Sequence, residues 1–475
     1  MRINNVVDQA DKALTGLILG LFGCIVAVPL FSDGMFLDGV IYAAVSNNMA
    51  LGIGHFWEPH LSNTLFDSFY EHPPLAMGLE SLWFKLFGSS IYVERFYSLA
   101  CFFINVRIIV EIWRELTNDK SLSFLPLLFF ILIPDIQWSF SNNLLENTMM
   151  IFCCLSFYFL IKHLKTARIA FLVLSGFLLY LSILSKGFVG LYLWGFPIFS
   201  WFFLRNSSFI RSIQNTFILL CSTLLPLLIL YLFLPLGWES FISYIEEQVV
   251  NSLQNVQTVN SRFEIIYIFL YQIAIATSLS IVIWLFVRRK AAPPSQPEEK
   301  KYGYILLCLV AGGVLPILIS LKQRGFYILT VYPFYSLAMA LLLKPYIKFL
   351  VQKLRLKTVQ NLKIGAYALG GLALVLSAIQ FKKIGRDKSE LELIYFIQEN
   401  LPKGITIDLA NEFKENWSLH AYAARHGQFN LIRSSPTQAE YKIENANQIE
   451  RYAESDVLYQ SDKYALVKKE TFNPN

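Results

Sequence analysis

The chain is 475 residues long, 55% hydrophobic and 15% aromatic, with only 16% charged residues and a mean hydropathy of +0.47. Soluble globular chains carry about 25% charged residues and disordered chains are poor in aromatics, so both classes are excluded. The net charge of +6 is no nucleic-acid footprint, because Lys and Arg fall between apolar runs and form no basic domain. The bilayer is therefore the expected environment.

A membrane-spanning helix needs about 20 predominantly apolar residues. Eleven runs qualify, at approximately 13–32, 92–112, 121–140, 147–161, 168–185, 188–204, 212–236, 263–287, 303–321, 325–343 and 364–381. The predicted fold class is an all-α polytopic membrane protein of about eleven transmembrane helices with interfacial helices, followed by a small C-terminal α/β soluble domain. The first run resembles a signal peptide in length, but it has no clear small-x-small cleavage site and ten further runs follow, so it reads as a retained span. The cysteines, Cys24, Cys101, Cys153, Cys154, Cys221 and Cys308, all lie in apolar runs without CxxC spacing, and read as buried apolar residues.

Orientation follows from the excess of Lys and Arg in cytoplasmic loops. With the N-terminus in the cytoplasm, the cytoplasmic segments hold 20 Lys and Arg and the opposite loops hold 5. The expected site is a bacterial inner membrane, with the C-terminal domain periplasmic. Two domains are expected: a transmembrane domain over 1–381, whose first non-cytoplasmic loop spans 33–91, and a non-cytoplasmic α/β domain over 382–475.

Within 33–91, Asp38–Ala50 places Ile41, Val45 and Met49 on one helical face, and Pro73–Phe87 opens on Pro-Pro and is apolar. Both read as helices lying on the membrane surface. Residues 237–262 form a polar segment, and 288–301 a polar cytoplasmic hairpin. The tail reads as a helix, SELELIYFIQENL, then the strand-like ITIDLA, FNLIR, DVLYQ and YALVKK.

A charge at mid-membrane costs about 2.5–3.5 kcal/mol on the insertion scale, so the positions of charges are informative. Asp38 follows the first span, His72 begins the surface helix, Glu146 opens the fourth span, Lys186 ends the fifth, and Lys322 and Arg324 join the ninth and tenth. Each alone has a bland reading as a helix cap, a snorkelling lysine or a loop charge. In the topology above, all emerge at one non-cytoplasmic face. His55, His60 and His72 share a loop but lack metal-ligand spacing.

In order, these residues resemble the C-type polytopic glycosyltransferases, and within them the dolichyl-phosphate-mannose protein mannosyltransferase-like and lipid A aminoarabinose transferase-like group. The shared motifs are Asp38-Gly39-Val40-Ile41-Tyr42-Ala43, Glu71-His72-Pro73-Pro74-Leu75, Lys85-Leu86-Phe87-Gly88 with Arg95, Glu146 opening a span, Lys186-Gly187 ending one, and Arg324-Gly325-Phe326-Tyr327-Ile328-Leu329 opening another. They cover roughly 30–345. Ile41 stands where aminoarabinose transferases have Arg, and His72-Pro73 where they have Lys-Pro, so donor identity does not carry over. The resemblance implies transfer of a sugar from a polyprenyl-phosphate carrier to a glycan, lipid or protein hydroxyl. It implies Asp38 as catalytic base, Lys186, His72, Arg324 and Lys322 at the donor phosphate, and Glu146 and Tyr42 positioning sugar or acceptor. No DxD sequence is present, so no cofactor and no obligatory divalent metal are expected. The alternative is a lipid-linked-sugar flippase or other transporter, which would hold charges at mid-span and show repeat symmetry; a membrane scaffold would leave the clustered charges without a role.

Overall fold

A computed structural model describes residues 2–288, 297–433 and 439–469. The helices run in order α1 (Arg2–Phe31), α2 (Leu37–Ala50), then, after the short strands β1 (Gly54–His55) and β2 (Glu58–Pro59), α3 (Leu75–Phe87) and α4 (Val93–Thr117). They continue through α5 (Phe124–Ile131), α6 (Pro134–Ser141), α7 (Leu145–Thr166), α8 (Ile169–Lys186), α9 (Phe196–Leu204), α10 (Phe209–Phe233), α11 (Pro235–Tyr244) and α12 (Asn251–Gln254). The last membrane helices are α13 (Glu264–Arg288), α14 (Pro297–Val314), α15 (Tyr332–Gln352) and α16 (Leu356–Gln380). Most of the expected 288–301 hairpin, residues 289–296, lies outside the described residues.

All eleven predicted runs are helical, but among the described residues only nine helices are long and apolar enough to cross a membrane. The run 121–140 is broken into α5 and α6, which meet at 79°. Its cause is Pro134, which holds the preceding Ile133 in extended backbone and removes a helical donor. Gln137 Nε2 donates to Ile131 O at 2.7 Å across the break, and Asp11 of α1 caps α5, accepting from Ser123 Oγ at 2.7 Å and Phe124 N at 3.0 Å. The run 188–204 is a 3-10 segment, Phe188–Gly195, followed by the short α9.

Helices α1 and α16 pack side by side in parallel. A methyl group added at Gly16, Gly20 or Gly23 would lie 3.3, 2.9 or 3.3 Å from Ala366, Leu369 and Ala373 respectively, so both sequences climb in the same direction. Their ends are stitched by Asp33 N donating to Lys383 O at 2.8 Å and Gly385 N donating to Asp33 O at 2.9 Å. The chain therefore crosses an odd number of times between its first helix and its tail, and the tail sits on the side where the 33–91 loop emerges.

That loop corrects one expectation. Helix α3 forms within the predicted 73–87 segment, burying Ala76, Met77 and Phe84 while Leu82, Leu86 and Phe87 stay exposed. Helix α2 is not a surface helix: every residue from Gly39 to Met49 is buried, between α3 and the tail. Its small residues permit this, since a methyl group at Gly39 would meet Asn142 O at 2.1 Å. The cysteines are corrected too: Cys101, Cys153 and Cys154 are buried, but Cys24 and Cys308 are half-buried and Cys221 is exposed, and all six are free.

The tail holds α17 (Lys388–Asn400), β3 (Thr406–Leu409), α18 (Trp417–Tyr422), β4 (Asn430–Leu431), β5 (Tyr441–Asn445), β6 (Val457–Gln460) and β7 (Tyr464–Lys468). The strands form one mixed sheet in the order β4-β3-β5-β7-β6. Strand β3 runs parallel to both β4 and β5, whereas β7 is antiparallel to β5 and β6.

Candidate active site

The turn that presents Asp38 is fixed from three directions. Arg95, buried in α4, donates to Pro29 O at 2.6 Å and to Gly34 O at 2.9 Å. Asn142 Oδ1 accepts from Phe36 N at 2.9 Å. Tyr422, from the tail, accepts from Met35 N at 3.0 Å. Asp38 then occupies the first turn of α2, where a helix N-terminus favours a carboxylate. Burial raises its pKa, against the opposing pull of Lys186, Arg324 and Lys322.

Lys186 is the last residue of α8, where a cation suits the helix C-terminus. It does not snorkel: its side chain is 7% exposed and lies 3.1 Å from Glu146 Oε1. It donates to Tyr42 OH at 3.2 Å and sits over the rings of Tyr42 and Phe326, 5.3 and 5.5 Å from their centroids. Glu146 is fully buried, and neither of its carboxylate oxygens accepts a hydrogen bond among the described residues. Such a buried charge is costly unless it is paired, so Glu146 and Lys186 depend on each other.

His72 packs edge-on against Tyr42, with ring centroids 5.5 Å apart, and faces Tyr244 at 6.5 Å. Burial, with Lys186 and Lys322 nearby, pushes its pKa well below the ordinary histidine value, so the ring is neutral at pH 7. Its Nδ1 has no partner among the described residues. Gly187 stops α8 with φ of +125°, and a Cβ there would fall 2.0 Å from the Tyr244 hydroxyl. Only glycine suits both the backbone and the close approach.

These groups meet at a cavity of about 570 Å³, within the range of small-molecule sites. Its lining combines the polar Lys186, Glu146, His72 and Lys322 with the apolar Phe188, Val189, Leu191, Pro316 and Ile317. Lys322 Nζ is held at 2.9 Å from both Gln248 Oε1 and Ser252 Oγ. Burial lowers its pKa while Glu71 raises it, the lowering winning. Asp38, which is half-buried, Tyr42 and the exposed Arg324 are not among the lining residues. The structure thus gathers Lys186, Glu146, His72, Lys322 and Tyr42, with Asp38 within electrostatic reach, and leaves Arg324 at the edge. Sequence reasoning missed Tyr244, Gln248 and Ser252; the only signal was the polarity of 237–262. Among the described residues no three His, Cys, Asp or Glu side chains converge as metal ligands do. Two lysines among apolar walls suit an amphiphile with an anionic head.

The arrangement is that of a multi-pass integral membrane protein. Residues 71–238 match the dolichyl-phosphate-mannose-protein mannosyltransferase family, which bears out the resemblance read from the motifs. No curated protein sequence matches the chain. Among solved structures, ArnT from Cupriavidus metallidurans bound to undecaprenyl phosphate superposes with a TM-score of 0.68 at 14% identity, covering 96% of this chain and 98% of that one. The same protein in the apo state gives 0.62 at 14% identity, over 93% and 95%. The apo oligosaccharyltransferase of Archaeoglobus fulgidus gives 0.51 at 13% identity, over 92% of this chain and 70% of that one. At these identities the likeness is one of fold.

Proposed function

We propose that this protein is a glycosyltransferase that moves a sugar from a polyprenyl-phosphate carrier to an acceptor hydroxyl on a glycan, lipid or protein. The observation that carries the reading is one cavity lined by Lys186, Lys322 and neutral His72 together with the apolar Phe188, Val189, Leu191, Pro316 and Ile317. The carrier's isoprenoid chain would lie along Phe188, Val189 and Ile317, with its phosphate between the two lysines. Lysine is a point charge that binds phosphate without demanding fork geometry. The lysines would stabilise the negative charge that grows on the phosphate as it leaves.

In this reading the acceptor oxygen bonds to the anomeric carbon as the bond from that carbon to the phosphate oxygen breaks. The acceptor's proton passes to Asp38, whose raised pKa makes it a better base than an ordinary aspartate. A single displacement inverts the anomeric centre. Glu146, now 3.1 Å from Lys186, holds the lysine until phosphate competes for it, and with Tyr42 orients the sugar. Arg324, exposed at the rim, would meet the incoming donor. The excess of Lys and Arg on the opposite face supports a periplasmic site and tail in a bacterial inner membrane.

Mass spectrometry of the glycans and lipids of a strain lacking the gene tests this. Loss of one sugar, with its polyprenyl-phosphate form accumulating, is the expected result. An unchanged glycan and lipid profile, with the intact lipid-linked sugar trapped on one leaflet, would favour a flippase instead.

A further inference from the structure

A second cleft, of about 780 Å³, opens where the end of α2, the start of α4, the end of α16 and the tail meet. Helix α2 has 14 residues, about 20 Å at 1.5 Å per residue, and Asp38 is at its other end. Asp33 brings one edge of the cleft near the turn before Asp38, but the cleft shares no lining residue with the transfer cavity and is distinct from it.

We propose that this cleft binds the phosphate of an anionic membrane lipid. Lys382 and Lys403 line it. Both are exposed, and no carboxylate pairs with either among the described residues. The nearby acids are already engaged. Glu94 is held at 2.9 Å by the buried Arg425, which also donates to Ser89 O and Ser90 O. Asp33 accepts from Gly34 N at 2.8 Å and from the Tyr395 hydroxyl. Asp33 shares the cleft but forms no ion pair with either lysine, so among the described residues both lysine charges are unpaired.

The wall supplies a further donor. Asn47 is 1% exposed; its Oδ1 accepts from Ser89 Oγ at 2.7 Å, but its Nδ2 has no partner among the described residues. Buried polar hydrogens rarely go unmatched, and a phosphate oxygen would satisfy this one. The cleft also adjoins the end of the membrane helix α16. Tyr92, which lines it, stacks on Phe381 at 5.0 Å and its hydroxyl accepts from Lys382 N at 2.9 Å, where α16 ends. Leu51 and Ile53 on the rim and Phe381 beside it are exposed and apolar. Helix α16 packs on α1 along one face only, and no residue of its hydrophobic window is fully buried, which leaves its other face to acyl chains. Cations above an apolar rim match an anionic phospholipid, since basic residues at a membrane surface are drawn to anionic headgroups.

The test is native mass spectrometry of the purified full-length protein titrated with phosphatidylglycerol, phosphatidylcholine or inorganic phosphate. Wild type should retain phosphatidylglycerol, and the Lys382→Glu/Lys403→Glu double variant should bind it at least tenfold more weakly. The Lys382→Gln/Lys403→Gln pair, which avoids introducing negative charge, should weaken it in the same direction with an unchanged melting temperature. Phosphatidylcholine should bind wild type no better than the variants. Equal retention of phosphatidylglycerol by wild type and both variants would overturn the proposal. So would full displacement of the lipid by millimolar inorganic phosphate, which would make the cleft a site for a soluble anion.

Discussion

The hydroxyl of Tyr422, in the tail, accepts a hydrogen bond from Met35 N at 3.0 Å, three residues before Asp38. Its own proton is shared between Asp387 Oδ2 at 2.9 Å and Met35 O at 3.2 Å. The soluble tail thereby grips the turn that aims the proposed base. Removing the hydroxyl in Tyr422→Phe should lower kcat by about 2- to 10-fold, the worth of a net hydrogen bond, with KM for the donor within about twofold. Steady-state kinetics separate this from a general loss of folded protein, which would lower the active fraction and leave kcat per active site unchanged.

Asp38→Asn keeps size and removes basicity. Turnover below about a tenth of wild type is expected, since general-base help is worth 10²- to 10⁴-fold. Because burial raises the Asp38 pKa despite Lys186, Arg324 and Lys322, and the base acts deprotonated, activity should fall on acidification at a pH above the ordinary aspartate range. A kcat/KM profile flat down to pH 4 would remove Asp38 from that role.

Glu80 offers a stability test independent of catalysis. It is buried under α2, accepting from Ser46 Oγ at 2.8 Å and Asn143 Nδ2 at 2.7 Å. Burial, with Glu94 adding to it and Ser46, Asn143 and Arg425 opposing, raises its pKa to about 8. Its folded pKa exceeds the unfolded value of 4.5, so the folded state binds more protons between the two and stability declines as pH rises through that window. Glu80→Gln should flatten the decline: its melting temperature should gain on wild type between pH 5 and pH 8.

Gly187→Ala combines a φ of +125° with a methyl group 2.0 Å from the Tyr244 hydroxyl. The backbone alone costs on the order of 1–3 kcal/mol. Thermal unfolding should show that loss, together with weakened donor binding as Tyr244 is pushed into the cavity. Tyr244→Phe in the same chain should recover the steric part and leave the backbone part.

The hydropathy of the chain made its helices legible, because bilayer length and apolarity are local properties. The parity needed for a shared face was legible too, and the parallel packing of α1 on α16 agrees with it. The fracture at Pro134 was written in the sequence as a proline inside an apolar run, but only the packing of Asp11 and Gln272 around α5 and α6 made it a bend: Asp135 N donates to Gln272 Oε1 at 2.9 Å. The burial of α2 was not legible, because its apolar face also fits a membrane surface and only the tail covers the other side. Lys186-Gly187 stood out as a charge ending an apolar run. Tyr244 and Ser252 could not, since nothing local ties them to a lysine dozens of residues away. Strand β5, YKIEN, was missed because Ile443 is its one fully buried apolar side chain.

The central claim is that Lys186 holds the phosphate of a lipid-linked donor. Titrating purified wild type, Lys186→Met and Lys186→Arg with a polyprenyl-phosphate sugar tests it most directly. Wild type should bind tightly, Lys186→Met at least tenfold more weakly with normal membrane insertion, and Lys186→Arg with intermediate affinity, because it keeps the charge. Equal affinity of Lys186→Met and wild type would contradict it and leave Lys186 as no more than the counter-charge of Glu146.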